Sequence, residues 1–447
     1  MKNQLCLGVS REIITPEVGC NLYGYNPFIF STAVNDDLTA TAFVFKYGDV
    51  LSAMISVTVC TVVKELADRI RISIEEECGI PFDNIMISAT HTHSGPATVS
   101  SAGWGDANEK YIEEILVPGI IKATKDAAES LVPVKTGIAT GESLVGVNRR
   151  NLLDSEDPVF GQCTWGAFDP KMTVIAFRDY DGNPVANMVH YGAHCTAAGS
   201  NTEITRDWAG YMTDRLEYVS GGITAFFNGC EGNVGPRITC GCTGGKGSMD
   251  WAEELGYIAA TDAVNIYKTI PAFTDVDMET KADVLKLKQL PRLGLEDAKA
   301  EYDKLSGEKV NLNGKRFAYY ENLIKSYEDG YEDTEYYEIS QTLIRLGNYV
   351  FAAIPFEPFA EIGLRINQSC PDKNILSLAL TNGAEGYFGT ESAMCHGGYE
   401  IESFKMNKLQ QLAPHADTAL VKETLRNISG LKGSEKVGGK GWFNKII

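Results

Sequence analysis

Apolar and polar positions along the chain follow two rhythms. Runs such as ATAFVFKYG (40–48), VLSAMISVTVC (50–60), NIMISATHTH (84–93), PKMTVIAFRD (170–179), PVANMVHYGAH (184–194) and GITAFFNG (222–229) have the length and the β-branched and aromatic content of strands. Between them, KELADRIRISIEEECG (64–79), NEKYIEEILVPGIIKATKDAAESL (108–131), RDWAGYMTDRLEYV (206–219) and DWAEELGYIAATDAVNIYKTI (250–270) carry helical apolar spacing, the first closed by a glycine. This alternation predicts an α/β fold.

The rhythm changes over residues 294–334, which are highly charged and read as two helices about a break containing Gly and Asn: a helical hairpin inserted between strands. Two strands joined by Gly-Asn follow in YYEISQTLIRLGNYVFAAIP (336–355), and a helix is expected near FEPFAEIGLRI (356–366). The loop-like composition of GSEKVGGKGWFNKII predicts a surface tail over 433–447, leaving 1–432 as a single domain interrupted by the hairpin.

Composition narrows the partners. Hydrophobic residues make up 44% and charged ones 22%, and no run reaches the roughly 20 apolar residues of a membrane span. A formal charge of −19 opposes nucleic acid and anionic lipid surfaces, which are recognised by clustered Lys and Arg. The first residues lack the apolar core of a secretion signal, so a cytoplasmic location is expected. Eleven cysteines in no regular pattern suit reduced thiols, although TCGC (239–242) and GC (229–230) could offer soft metal ligands.

The chain owns six histidines, and two of them stand one residue apart in ATHTHSGP. On a strand His91 and His93 would share a face, roughly 6.5–7 Å apart along the chain. His190 and His194 share a parity in MVHYGAHCTAAG, and His194 falls where a strand runs out into small residues, the place where α/β folds bind ligands. Strand-end histidines with a glutamate would suit a catalytic zinc site, and satisfied polar residues at strand ends are the alternative.

ATHTHSGP, VNRR, GAHCTAAG, RDWAGYMTDRLE, FFNGCEGNVGPR, IPFEPF and GYFGTESAMCHGGYE occur in an order that resembles the neutral/alkaline, non-lysosomal ceramidases over about residues 7–410. That resemblance implies paired twisted mixed β-sheets flanked by helices. It implies zinc ligands at His91, His194, Glu357 and Tyr387, the last placed twelve residues before the substrate-site Tyr399. It further implies that His93 and Arg149 polarise the substrate carbonyl and hold its oxyanion, while Arg150 would point elsewhere, toward solvent. Asp207 is expected either behind a metal-bound imidazole or in an N-cap or surface role.

One position departs from the family pattern. Where ceramidases present a serine, this chain reads Gly232-Asn233-Val234-Gly235-Pro236, so Gly235 offers no hydroxyl, and Cys230 lies five residues earlier. A zinc-dependent amide (N-acyl) hydrolase using a metal-activated water is therefore expected, acting on a small N-acyl substrate more polar than ceramide. The family's additional β-sandwich domain is likewise not expected here. An ester or sugar-linked acyl hydrolase with the same metal site, and a non-catalytic metal-containing binding protein, are the alternatives.

Overall fold

The computed structural model describes residues 4–152, 159–238 and 247–431; the TCGC motif and the expected tail lie outside them. Its main element is an eight-stranded mixed sheet. In spatial order its strands are Ile223–Asn228, Pro184–Tyr191, Lys171–Asp179, Val132–Glu142, Leu5–Ile13, Thr39–Tyr47, Val50–Val57 and Ile85–Ala89. Leu5–Ile13 pairs along its whole length with Thr39–Tyr47, but meets Val132–Glu142 only at Cys6↔Pro133 and Leu7↔Val132. The sheet folds over at this seam into two halves that face each other.

Period-two alternation explains the layers. In one half Ala40, Ala42 and Val44 point outward to the helices Lys64–Cys78 and Val117–Glu129, while Phe43 and Phe45 point inward. In the other, Val174 and Val189 face the helices Asp207–Ser220 and Met249–Lys268, while Ile175, Phe177 and Met188 point inward. The inward rings meet across the gap, Phe43 with Phe227 at 5.9 Å and Phe45 with Phe177 at 5.7 Å between centroids. A third sheet, Met278–Lys288, Tyr336–Leu346, Tyr349–Ala353 and Asn374–Leu378, adds Ile344, Phe351 and Leu376 to the same core. Its other face packs on the helices Ala360–Gln368 and Ala416–Ser429. The paired twisted sheets flanked by helices are thus present, with a third sheet against them.

Local signals account for several boundaries. Lys64–Cys78 ends at Gly79, whose φ of 68° lets its N–H reach Glu75 O. The two strands around Gly347 and Asn348 form the expected hairpin. The charged hairpin folds as Leu295–Asp303 and Asn311–Glu328, so Asn313 and Gly314 lie inside its second helix and not at the break. Gly314 is used there for contact: a Cβ would fall 2.6 Å from Gly103 Cα. Among the described residues, no helix is long and apolar enough to cross a membrane.

Gly8 shows how tightly sheet and helix meet, since a Cβ there would fall 1.8 Å from Ala127 O of the helix behind it. Gly8→Ala is expected to lower stability by about 1–3 kcal/mol through overpacking. A denaturant midpoint unchanged from wild type would contradict that contact.

Candidate metal centre

Both edges of the folded sheet end at one place. Asn228, the last residue of its strand, donates to Thr90 O beyond Ile85–Ala89 (3.2 Å) and accepts from Ala193 N beyond Pro184–Tyr191 (3.2 Å). A bridge between Thr92 and Cys195 then fixes His91 and His93 beside His194. The histidines therefore lie past the strand ends, and not on a strand as the alternation predicted. His91 has a φ of 69°, the left-handed region, and this turn sends both rings into one pocket with their Nε2 atoms 3.2 Å apart.

The remaining donors arrive from the C-terminal third. Glu357–Pro358 pairs in parallel with Tyr387–Phe388, Glu357 opposite Tyr387. Glu357 Oε2 lies 3.4 Å from His91 Nε2 and 3.4 Å from His194 Nε2, and Tyr387 Oη lies 3.5 Å from His194 Nε2. His91 Nδ1 donates to Cys60 O (2.9 Å), and His194 Nδ1 to Glu231 O (3.0 Å) and Val234 O (3.1 Å). Those bonds orient the rings and turn each Nε2 toward the carboxylate. Glu357 Oε2 is buried and has no hydrogen-bond partner among the described residues. Two nitrogens and one oxygen so disposed can hold a divalent cation.

Burial would lower the His91 pKa, but the Cys60 and Glu357 side chains beside it hold it well above the ordinary histidine value, so a metal ion would take the place of its proton. Burial would raise the Glu357 pKa, but His91 and His194 beside it hold it well below the usual carboxylate range. Burial, with the Arg149 guanidinium, pushes His194 down to about 3. Burial and the neighbouring His91 and His194 also hold His93 well below the ordinary histidine value.

Arg149 is buried and donates through Nη2 to Tyr387 Oη (3.0 Å) and Gly232 O (3.0 Å), and through Nε to Glu400 (2.9 Å). Arg150 does not face solvent. It is buried, donating to the other Glu400 oxygen (2.7 Å) and to Gly397 O (2.7 Å). A register shift between Asn148 and Arg150 breaks strict alternation, so consecutive guanidinium groups share one carboxylate. Tyr399 borders the cleft, its ring 5.7 Å from that of Tyr387.

Other sequence candidates lie elsewhere. The strand ends at Tyr191, so the parity of His190 with His194 does not persist, and His190 Nε2 bonds Ser377 O (3.1 Å). Asp207 starts its helix and accepts from Ala197, Ala198 and Trp208 N–H groups, bracing the loop after His194 and not its ring. Burial pushes the Cys230 thiol up, away from a reactive thiolate, and its Sγ lies where a Cβ on Gly363 would touch it. Gly235 sits in the short strand Val234–Pro236, next to the carbonyl that receives the His194 proton.

Sequence reading missed three contributors. Glu400 anchors both arginines, Gly24 brings its backbone against the His93 ring, and Lys315 enters from the hairpin. Gly24 takes a positive φ of 124°; Glu400 closes the GYFGTESAMCHGGYE motif beside Tyr399, and Lys315 leaves no local trace.

Comparison with known proteins follows the same outline. A family model described as neutral/alkaline non-lysosomal ceramidase, N-terminal, matches residues 5–273. Neutral ceramidase A of Dictyostelium discoideum is 29% identical over 51% of this chain and 35% of its own length. Neutral ceramidase of Pseudomonas aeruginosa is 28% identical over 35% of this chain and 25% of its own length. The matched stretches thus cover about a third or less of these relatives. The crystal structure of the Pseudomonas aeruginosa neutral ceramidase shares the fold, with a TM-score of 0.74 at 18% identity over 96% of this chain and 74% of that one. On the family match, which spans more than half its residues, the chain belongs to the neutral/alkaline non-lysosomal ceramidase family.

Proposed function

We propose that this chain hydrolyses an N-acyl amide bond with zinc held by His91, His194, Glu357 and Tyr387. The observation that carries the reading is the convergence of two imidazole Nε2 atoms on one unpartnered carboxylate oxygen, both Nδ1–H groups being committed to carbonyls. Neutral imidazoles with a carboxylate are a donor set suited to zinc. Zinc, when bound, polarises an acyl carbonyl and lowers the pKa of a water from about 15.7 to about 7.

The chain's own groups then act on the reactant. Arg149 stays charged and, held by Glu400, supports negative charge growing on the acyl oxygen. His93 is uncharged at neutral pH, so its ring offers one N–H and one lone pair beside the donors. Tyr399 borders the bound substrate. The relatives' names point to ceramide, but Gly235 supplies no seryl oxygen, which favours a smaller, more polar N-acyl compound. Metal-replete protein is expected to turn over members of a panel of N-acyl amides and N-acyl amino acids, to stop on chelation and to recover with zinc. Protein shown by elemental analysis to be zinc-loaded, yet inert toward the whole panel, would refute the reading; faster turnover of matched esters would assign an esterase instead.

A further inference from the structure

The cleft before the proposed metal donors contains a cation that the reaction above does not use. Lys315, in the first turns of the hairpin helix Asn311–Glu328, lines the same cleft of about 260 Å³ as His91, Glu357 and Tyr387. Its Nζ donates to Ser403 Oγ (2.8 Å) and Asn407 Oδ1 (2.6 Å), both neutral. The nearby lysines differ: Lys309 pairs with Glu321, Lys325 with Asp329 and Lys408 with Glu385. Among the described residues Lys315 has no carboxylate partner. An ammonium has three donors, so one N–H remains for a ligand.

Its position is coupled to the metal centre. Asn407, which receives the Lys315 proton, donates to Tyr387 O (3.1 Å), and a Cβ on Gly386 would fall 2.7 Å from the Asn407 side chain. Lys315 and Asn407 also line an adjoining cavity of about 680 Å³, so the ammonium stands where the metal cleft opens into further space. Burial pushes Lys315 down to about 8, and it remains mainly charged at neutral pH. The Glu357 charge is felt from beyond ion-pair distance, and partly burying an ammonium with no carboxylate in contact is unfavourable unless a ligand supplies the charge.

We propose that Lys315 binds a substrate carboxylate beside the scissile amide, so that the compound cleaved is an N-acyl amino acid. This rests on the amide-hydrolase reading of the site. The test pairs an N-acyl amino acid with its neutral carboxamide, in turnover by zinc-replete full-length protein and in binding by calorimetry. Wild type is expected to favour the carboxylate by roughly 10- to 100-fold, the value of a charge-assisted hydrogen bond. Lys315→Met should bring the kcat/KM ratio for the pair near one, mainly through KM, whereas Lys315→Arg should keep most of it. Equal treatment of the two compounds by wild type, or a preference that survives in Lys315→Met, overturns the proposal. If neither amide is cleaved, and the wider panel is inert as well, the hydrolase reading fails, while calorimetry still decides the carboxylate site: a binding preference lost in Lys315→Met supports it, and no preference overturns it.

Discussion

Glu357→Gln is expected to strip the protein of its metal. The substitution keeps the shape of the side chain and exchanges only the charged oxygen, which lies 3.4 Å from both imidazole nitrogens, for a neutral amide. It removes the one carboxylate among the four proposed ligands, leaving two imidazoles and a phenol. Loss of a group behind a ligand typically costs about 10–100-fold in metal affinity or activity, and loss of the ligand itself should cost more. Elemental analysis after dialysis against a weak chelator should find metal near one per chain in wild type and near zero in Glu357→Gln, with hydrolysis lost in parallel. His190→Gln is the matched control, because that ring bonds Ser377 O away from the donors. Full metal content in Glu357→Gln would exclude the assignment.

Arg149 and Glu400 give the second large effect. An ammonium cannot reproduce the guanidinium's simultaneous contacts with Glu400, Tyr387 Oη and Gly232 O, so Arg149→Lys is expected to lower kcat by about 10²- to 10³-fold while metal content stays near wild type. Glu400→Gln acts on stability. It leaves two guanidinium groups buried without their shared counter-charge, and removing one member of a buried ion pair costs about 3–5 kcal/mol. Its denaturant midpoint should fall accordingly. If Arg149→Lys turned over substrate at the wild-type rate, Arg149 would have no place in the reaction.

Much of the fold can be read from local pattern because the inward and outward positions of its strands obey period two, as Ala42 and Phe43 show. The site is less accessible to such reading. Strand alternation places His91 and His93 on one face for the wrong reason, since a positive φ beyond the strand end does so. Alternation also sends Arg150 outward, and the register shift at the neighbouring strand turns it in. Resemblance points to Arg149, Tyr387 and Tyr399 by motif, and in the structure Arg149 bonds Tyr387 Oη while the Tyr399 ring lies against that of Tyr387. The roles of Glu400 and Lys315 emerge only through contacts distant in sequence: Glu400, although it ends a quoted motif, with Arg149 across 251 positions, and Lys315 with Ser403 across 88. Neither periodicity nor a short motif can signal such a partner.

The proposed metal donors are spread from His91 to Tyr387, and the family match itself ends at residue 273, before Glu357. As the polypeptide leaves the ribosome both imidazoles emerge well before the carboxylate and the phenol. A nascent chain interrupted between them would own only half of the proposed donor set. On the proposed ligand set, loading would wait until Glu357 and Tyr387 have closed onto the histidines, and a bound ion would report that closure.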